Sequence, residues 1–439
     1  MRVRLLVYPV AVLLTTVGLL APIGRTQEMT RLEREQRQAM LKTAFDDVRS
    51  DYYDPKIHGL DWNAKFAEAR ANIARATTKT EANLQIAALL EALGDSHTHF
   101  IPPTHSVRED YGWQYQAIGE RCYVTRVRPG SDAEAKGLRP GDEVLTINGF
   151  TPARESLDNM QYVLDVLYPQ TGLRLELRDP FGKIRSVDVM ARQRETEIIR
   201  GRTELDRQRM RIEREQAVHD IQPIYQEFGE PLMVLKLPAF FQSSFKVDEL
   251  IEKARQHKTL IVDLRGDRGG AEATLKDLLG GMFEENVKIA DEIRRAKTTP
   301  VVIKGRHKKA FTGKLIVLVD SRSASAAEIF ARTIQIEKRG TVLGDLTSGS
   351  VMSAQFHRHT YGGNPVLIYG VEVSVADFIM ADGKSPEHVG VTPDEKLLPS
   401  KEDLLAGRDP VMARAAEIAG VTLSPEKAAQ MFPYEWPNL

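Results

Sequence analysis

Three short apolar runs in the second half of the chain constrain its fold more than any other feature. They read "PLMVLKLPAF", "TLIVDLRG" and "GKLIVLVD", and each leads into a helical stretch. Continuous apolar runs of this length are typical of strands buried on both faces. Alternation of strand, loop and helix predicts an α/β core with a partly parallel sheet, which we assign to residues 194–439. The end of the chain, from Lys401 onward, is predicted to be helical and peripheral.

Two further units precede this core. Residues 28–103 show the three-to-four-residue apolar spacing of helices, as in "EANLQIAALLEALG", and are predicted to form an N-terminal helical segment. Residues 104–193 alternate like strands, and their middle, "AKGLRPGDEVLTINGF", resembles a PDZ domain. PDZ domains bind extended chain ends by adding a strand to the edge of a sheet. The resemblance implies capture of polypeptide C-termini; a unit that only shapes or gates its neighbour is the alternative.

The N-terminal segment, 1–27, differs in composition from the rest. Arginines precede an uncharged apolar run from Leu5 to Ile23, and Arg25 follows it. This is the pattern of a secretory signal peptide, and the run is also long enough to be a retained membrane anchor. Both interpretations predict an exported protein, periplasmic or extracellular, that touches a membrane only through this segment.

The bulk composition excludes several functional classes. Lys+Arg 60 against Asp+Glu 61 leaves a net charge of −1, which gives no reason to expect nucleic acid as a partner. The single cysteine, Cys122, excludes an intrachain disulfide and a cysteine zinc cluster, and neither a metal nor an organic cofactor is implied. The run at 192–216 mixes both signs of charge and is interpreted as a solvated, ion-paired face.

The stretch "VLVDSRSASAAEIFARTIQ" is the first place that could carry chemistry. It predicts a strand that ends near Asp320 and a helix that begins near Ser325. Ser325 and Glu328 fit a capping box, in which the serine only satisfies a free helix N–H group. The same geometry also exposes a hydroxyl beside N–H groups that can stabilise an oxyanion. Considered alone, the stretch favours the cap.

Three other segments contain candidate functional groups. "TLIVDLRGDRGGAEATL" has a glycine-rich loop that lets N–H groups approach a ligand, but it lacks the ending of a nucleotide-phosphate loop. "LGDSHTHF" contains His97 next to Ser96, and "DGKSPEHVGVTPD" places Glu387 in a turn-rich loop. Taken one at a time, these segments are a tight turn, a structural histidine and a solvated carboxylate.

Taken together, the four segments resemble the motifs of the C-terminal-processing (tail-specific) serine peptidases and their tricorn-type relatives. "DSRSASAAEIFARTIQ" resembles their nucleophile segment, "DLRGDRGG" their oxyanion loop, "LGDSHTHF" a segment of their N-terminal part and "PEHVGVTPD" their closing motif. The similarity extends from about residue 40 to 410, with a PDZ insertion in the usual place. It implies a ClpP/crotonase-like α/β peptidase core with an inserted PDZ domain and an N-terminal helical segment.

The resemblance also assigns catalytic roles. In the branch that uses a serine–lysine dyad, the lysine would fall on Ser350, so the usual base is missing here. The tricorn-type branch uses a histidine base, an adjacent serine and a glutamate, which correspond to His97, Ser96 and Glu387. The resemblance thus implies that Ser325 is the nucleophile and His97 the base, with the other two as supporting hydrogen-bonding groups.

The oxyanion hole follows from the same alignment of motifs. The N–H group of Ala326, together with that of Gly269 or Gly270, is expected to bind the negative oxygen that develops on the substrate.

These roles predict an exported serine endopeptidase that hydrolyses extended or unfolded polypeptides, with the PDZ unit assisting substrate capture. The natural substrate and the oligomeric state are left open. The alternative is a catalytically inactive ligand- or peptide-binding protein on the same fold. Relatives such as interphotoreceptor retinoid-binding protein carry ligands, and the missing lysine keeps this alternative open.

Overall fold

The computed structural model describes residues 28–103, 107–195, 221–362 and 366–436. The signal or anchor segment predicted at 1–27 lies outside these ranges, as does most of the mixed-charge run at 192–216. Within the described ranges, every helix is too short or too polar to cross a membrane.

The N-terminal unit is a bundle of three helices. They are α1 (Arg31–Asp51), α2 (Trp62–Arg75) and α3 (Lys79–Glu91). Capping boxes begin the first and third helices, at Thr30 and Thr78. The apolar faces of the helices pack together into a buried cluster that includes Phe100. The bundle therefore presents the chain that follows α3, which carries His97, toward the rest of the molecule.

The PDZ unit is a five-stranded antiparallel sheet with two short helices and its own core. Its sheet consists of β3 (Trp113–Ile118), β4 (Arg121–Val127), β5 (Glu143–Ile147), β6 (Gly172–Arg178) and β7 (Ile184–Met190). Its helices are α4 (Asp132–Ala135) and α5 (Leu157–Tyr162). Outside this sheet, β2 (Val107–Asp110) pairs antiparallel with β8 (Arg192–Glu195), so the two ends of the unit run side by side.

The core contains a six-stranded sheet. Its strands are β9 (Ile224–Phe228), β10 (Leu232–Lys236), β11 (Thr259–Asp263), β14 (Lys314–Val319), β15 (Thr341–Gly344) and β18 (Glu395–Lys396). Their order in the sheet is β18–β15–β14–β11–β10–β9. All neighbours are parallel except β9 and β10. The predicted α/β core with a partly parallel sheet is confirmed.

Helices cover both faces of this sheet. One face packs against α6 (Ser244–Ala254), α7 (Glu272–Gly280) and α8 (Ala326–Ile336). The end of the chain forms α9 (Lys401–Ala406), α10 (Pro410–Ile418) and α11 (Pro425–Ala429). It is helical as predicted, but the prediction that it is peripheral is wrong. Val411, Met412 and Ala415 of α10 are buried against the other face of the sheet, because that face is apolar too and must be covered.

A second, antiparallel sheet joins the helical bundle to the core. Its strands are β1 (His99–Ile101), β12 (Val287–Arg294), β13 (Lys297–Ile303), β16 (Met352–Tyr361) and β17 (Leu367–Met380). Their order is β1–β17–β12–β13, with β16 also paired to β17. Because β1 pairs with β17 through His99 and Glu372, the segment just before it is fixed beside the core.

Two neighbouring parallel strands aim their following loops at the same edge of the six-stranded sheet. Asp263 at the end of β11 is in register with Leu318 near the end of β14. Since carboxyl ends of parallel strands share one edge, the glycine-rich loop after β11 and the serine turn after β14 meet there.

Candidate active site

Ser325 sits at a strained turn between β14 and α8. Its backbone φ is 55° and ψ is −118°, a region that residues other than glycine rarely adopt. The turn is held from both sides: the Ser323 hydroxyl donates to the Leu264 carbonyl oxygen at 2.8 Å, and the Ala324 N–H donates to the Asp267 carbonyl oxygen at 2.9 Å. Such strain costs of order 1–3 kcal/mol and persists only where the surroundings fix it.

Ser325 and Glu328 form the capping-box arrangement that the sequence suggests, but the serine hydroxyl contributes little to it. The Ser325 N–H donates to the Glu328 carboxylate at 3.2 Å. In return, the Glu328 N–H donates at 2.9 Å to the Ser325 carbonyl oxygen, and the hydroxyl makes no cap hydrogen bond. The hydroxyl is therefore not committed to the helix end.

Glu328 holds a neighbouring loop against Ser325. Its fully buried carboxylate accepts hydrogen bonds from the Thr347 hydroxyl (2.5 Å) and from the N–H groups of Gly349 (2.8 Å) and Ser350 (2.9 Å). Burial raises the pKa of Glu328 to about 7, although these donors and the Ser325 N–H act in the opposite direction. We call residues 347–351 the clasp loop, because Ser325 also donates its N–H to the Ser350 carbonyl oxygen at 2.8 Å.

The glycine-rich loop lies directly against the nucleophile turn. A Cβ atom at Gly269, whose φ is +93°, would come within 2.7 Å of the Ser325 Cβ and 3.0 Å of the Ala326 nitrogen. Only glycine fits such an approach. The Gly269 N–H is already bonded to the Asp267 carboxylate at 2.7 Å.

Of the two glycines expected at the oxyanion hole, Gly270 is therefore the available donor. Neither its N–H nor that of Ala326 donates to a backbone or side-chain acceptor in the described part of the chain. The pair fits an oxyanion hole made of backbone N–H groups.

His97 belongs to a hydrogen-bonded relay that joins two segments 291 residues apart in sequence. Its Nδ1 lies 2.7 Å from the Ser96 hydroxyl, and that hydroxyl donates to the Glu387 carboxylate at 2.9 Å. Glu387 also accepts the N–H of Ser96 at 2.9 Å and that of Val351 at 2.6 Å. When the Ser96 hydroxyl donates to an ionised Glu387, it can accept a hydrogen bond from Nδ1–H of His97, and this arrangement leaves the Nε2 lone pair free to act as a base.

Burial sets the protonation of this relay. Desolvation, assisted by the nearby charge of His99 and opposed by Asp95, lowers the pKa of His97 to about 4. Desolvation also raises the pKa of Glu387, against the hydrogen bonds from Val351 and Ser96 that favour its charged form. A neutral imidazole beside a hydrogen-bonded carboxylate is the state that a general base requires.

Asp95 fixes the backbone that carries His97. Its carboxylate accepts the N–H groups of His97 (3.0 Å) and Thr98 (2.8 Å) and the hydroxyl of Ser374 on β17 (2.6 Å). The short loop between α3 and β1 is thus tied to the second sheet.

The clasp loop connects the two halves of the site. Ser350 accepts the Ser325 N–H, and the next residue, Val351, donates to Glu387. Across the described residues, no hydrogen bond joins the Ser325 hydroxyl to His97 itself. The structure thus brings Ser325, Ser96, His97 and Glu387 to a shared loop, and the proton transfer between Ser325 and His97 stays a prediction.

Ser350, at the position of the dyad lysine, has a structural environment. Its hydroxyl is 3.0 Å from that of Ser348, and its N–H and carbonyl serve Glu328 and Ser325. In the described part of the chain, no group of three or more His, Cys, Asp or Glu residues is placed to hold a metal ion.

Sequence reasoning missed the residues that hold the site together. Asp95 lies inside "LGDSHTHF" and Asp267 inside "DLRGDRGG", but the sequence assigns neither a role, because their importance arises from tertiary hydrogen bonds. The same holds for the clasp loop. Glu328 is visible in the sequence only as part of a capping box.

Comparison with known proteins supports this arrangement of units. The model of peptidase family S41 matches residues 232–397, the tricorn protease C1 domain model matches residues 33–90, and the PDZ domain model matches residues 106–166. The tail-specific protease of Haemophilus influenzae is 27% identical over 406 residues, which is 84% of this chain. The core of the chain, residues 232–397, is therefore similar to peptidase family S41. The predicted family is thereby confirmed, and the catalytic arrangement is a separate question.

Two further relatives are similar to most of this chain. The carboxyl-terminal-processing protease of Synechocystis is 23% identical over 86% of this chain and 84% of that protein. The putative tricorn protease homolog 2 of Streptomyces coelicolor is 22% identical over 87% of this chain. The chain spans 55% of the length of the Haemophilus protein and 32% of that of the Streptomyces protein.

Among solved structures, mature CPAF shares the fold of this chain. It superposes with a TM-score of 0.64 at 14% sequence identity, over 85% of this chain and 94% of CPAF. At this identity the similarity concerns the fold alone, and it agrees with the predicted α/β peptidase core with a PDZ unit.

Proposed function

We propose that the chain is a serine endopeptidase that hydrolyses extended polypeptides, with Ser325 as nucleophile and His97 as general base. One observation carries the proposal. Ser96 and Glu387, 291 residues apart, form a relay that orients His97, and that relay is bonded to the loop that holds Ser325. A helix cap needs no such relay.

The chemistry follows from the positions of the groups. The Ser325 hydroxyl attacks the carbonyl carbon of a peptide bond while Nε2 of His97 takes its proton. The carbonyl oxygen becomes negative and binds the N–H groups of Ala326 and Gly270. The C–N bond then breaks, the leaving amine takes the proton from His97, and an ester remains on Ser325. Water, deprotonated by His97, hydrolyses this ester and restores the serine.

A polypeptide substrate is supported by the similarity to peptidase family S41 and by the PDZ unit. Strand β3 is at an edge of the PDZ sheet, where a ligand strand can add. An extended chain bound there would run beside the core, because Ala117 on β3 accepts a hydrogen bond from Ser321 of the nucleophile turn at 2.5 Å. We propose that the PDZ unit helps to present extended chains, including C-terminal ends.

The experiment compares two serines that both begin helices. Ser325→Ala is expected to abolish hydrolysis of denatured casein while leaving the free energy of unfolding nearly unchanged. The matched control is Ser243→Ala, because Ser243 caps α6 by accepting the Lys246 N–H at 3.3 Å. That control should lose about 1 kcal/mol of stability and keep its activity.

Hydrolysis that survives in Ser325→Ala would reject the nucleophile. Absence of hydrolysis in the native protein, together with a stoichiometric apolar ligand after purification, would instead favour the alternative of a ligand-binding protein.

We also propose that the protein is exported through its N-terminal segment, 1–27. Cell fractionation followed by mass spectrometry of the N-terminus tests this. Recovery outside the cytoplasm is expected, with the segment either removed or holding the protein at the membrane. Recovery in the cytoplasm with an intact N-terminus would contradict it.

A further inference from the structure

A cleft lies where the PDZ unit meets the core. Its PDZ wall is made by β3 and α5, including Tyr115 and Asp158, and its core wall by Arg268, Arg322 and Ser348. Its cavity volume is about 30 Å³, which is room for a group the size of one or two water molecules. The cleft thus admits a small polar group such as a carboxylate and not a longer piece of polypeptide.

Arginines line this cleft, and one of them is unpaired. Arg154 pairs with Asp345 at 2.9 Å, and Arg268 pairs with Asp158 at 3.1 Å. The Arg322 guanidinium forms neither an ion pair nor a hydrogen bond with any described residue, and its Nε is buried without a partner. Only the backbone N–H of Arg322 is bonded, to Asp320 at 3.0 Å.

The Arg322 guanidinium is partly desolvated and has no direct hydrogen-bonding partner among the described residues. Burial and the charge of Arg268 lower its pKa against the charges of Asp320 and Asp158, and an arginine side chain remains protonated in proteins. A bound anion would replace the hydration that the guanidinium loses in the cleft. The planar fork of a guanidinium matches the two oxygens of a carboxylate.

Every part of the core wall belongs to the candidate active site. Arg322 lies three residues before Ser325 on the same turn, and Arg268 immediately precedes Gly269, which packs on Ser325. Ser348 is in the clasp loop, and its hydroxyl also contacts Asp158 of the PDZ unit at 3.1 Å. A group bound in the cleft would therefore contact the turn and the loop that hold Ser325.

We propose that Arg322 binds a carboxylate of the polypeptide substrate and thereby selects which chains are cut. This inference rests on the proposed peptidase function and adds a specificity-determining residue to it. The carboxylate belongs either to an acidic side chain or to the free C-terminus, and the two sources are separated by the experiment.

The experiment is a double-mutant cycle that compares kcat/KM for peptides with and without a carboxylate in the native protein and in Arg322→Gln. Peptides spanning a mapped cleavage site in denatured casein are made in parent form, with an amidated C-terminus, and with each Asp or Glu replaced by its amide. In the native protein, one of these neutralisations is expected to lower kcat/KM about ten- to a hundredfold. In Arg322→Gln the same neutralisation should change kcat/KM less than twofold. Sensitivity to amidation identifies the C-terminus, and sensitivity to one Gln or Asn identifies a side chain.

Two further variants serve as controls for the effect of Arg322→Gln. Arg174→Gln removes an exposed arginine of the PDZ unit that pairs with Asp188 at 2.8 Å, and it should retain the native discrimination. Arg322→Lys keeps the charge but loses the fork, so it should show intermediate discrimination, and it replaces Arg322→Gln if that variant does not fold. Equal cleavage of all peptides by the native protein, or full discrimination in Arg322→Gln, would overturn the proposal and leave Arg322 solvated by water alone.

Binding separates this proposal from the peptidase proposal. Fluorescein-labelled tryptic peptides of casein, untreated or with their carboxyl groups amidated, are titrated into Ser325→Ala protein, with and without Arg322→Gln. Carboxylate-dependent binding that needs Arg322, without any hydrolysis by the native protein, would reject the peptidase and keep the anion site. Hydrolysis by the native protein without carboxylate-dependent binding would reject the anion site alone. If the protein showed no hydrolysis and no carboxylate-dependent binding, both proposals would be rejected.

Discussion

At the scale of single residues, the imidazole of His97 has been made a base by its surroundings. Burial lowers its pKa to about 4, and its Nδ1 proton is held by Ser96. An unperturbed histidine would be half protonated near pH 6.5 and would lose its basic form in mildly acidic solution. The buried His97 instead keeps its lone pair through that range.

The acid limit of activity should therefore be displaced. Because only the neutral imidazole can accept the serine proton, kcat/KM is expected to fall as the pH drops through the pKa of His97, with a midpoint near 4 rather than 6.5. The measurement is a profile of kcat/KM against pH with a fluorogenic peptide. An acid limb above about pH 8, as a lysine base would give, contradicts the assignment.

Stability must be followed in the same experiment. Between pH 6.5 and about 4 the unfolded chain binds a proton at this histidine and the folded chain does not, so His97 lowers the free energy of unfolding as the pH falls through this window. Circular dichroism at each pH separates loss of fold from loss of the base.

The catalytic residue types could be predicted from sequence, and their supports could not. Ser325, His97 and Glu387 lie in segments with recognisable patterns, so each could be named in advance. Asp267 and Asp95 act only by accepting N–H groups of loops whose shape depends on the whole fold. The choice of Gly270 over Gly269 likewise required knowing that Asp267 occupies the Gly269 N–H.

At the scale of elements, the central device is the attachment of the clasp loop to the start of α8. The Glu328 carboxylate gathers donors from Thr347, Gly349, Ser350 and Ser325. The strands and helices around it were readable from apolar runs and spacing, because those patterns are local. The clasp loop has no periodic pattern, and its conformation is set by one buried carboxylate. That conformation could therefore not be predicted from local sequence.

Removing that carboxylate should loosen the loop and the nucleophile together. Glu328→Ala leaves buried donors without a partner, so it is expected to lower the free energy of unfolding by about 2–4 kcal/mol and to reduce kcat more than it changes KM. Glu328→Gln keeps one acceptor and should lose less of both. Denaturant unfolding and steady-state kinetics measure these effects.

The matched control for this change lies at the other end of the same helix. Glu337→Ala removes an exposed glutamate that follows α8 and should alter the free energy of unfolding by less than about 0.5 kcal/mol. If Glu328→Ala behaved like this control, the clasp loop would not depend on Glu328.

At the scale of the whole molecule, the PDZ unit is attached to the core by buried polar contacts. Arg154 of the PDZ unit donates to Asp345 of the core at 2.9 Å and to the Gly119 carbonyl oxygen at 2.7 Å. Asp345 also accepts the Gly119 N–H at 2.8 Å. The order of the units was predictable from sequence, but this docking was not, because it depends on pairs almost 200 residues apart, such as Arg154 with Asp345 at a separation of 191.

Breaking this pair should release the PDZ unit. Arg154→Met leaves Asp345 buried and unpaired, which is expected to weaken docking by about 3 kcal/mol and to speed hydrogen exchange at Gly119 and Leu346. Arg174→Met, which breaks an exposed pair within the PDZ unit, is the control and should leave exchange at both positions unchanged. Identical exchange in the two variants would show that the Arg154 pair does not hold the unit.

The most direct measurement of the central claim is the rate at which a fluorophosphonate probe labels Ser325. In the native protein, mass spectrometry should find the adduct on Ser325 and on no other serine. In folded His97→Ala protein the labelling rate should fall at least about a hundredfold, because the base that activates the hydroxyl is gone. Labelling of Ser325 at the native rate without His97, or no adduct on Ser325 in the native protein, would contradict the mechanism.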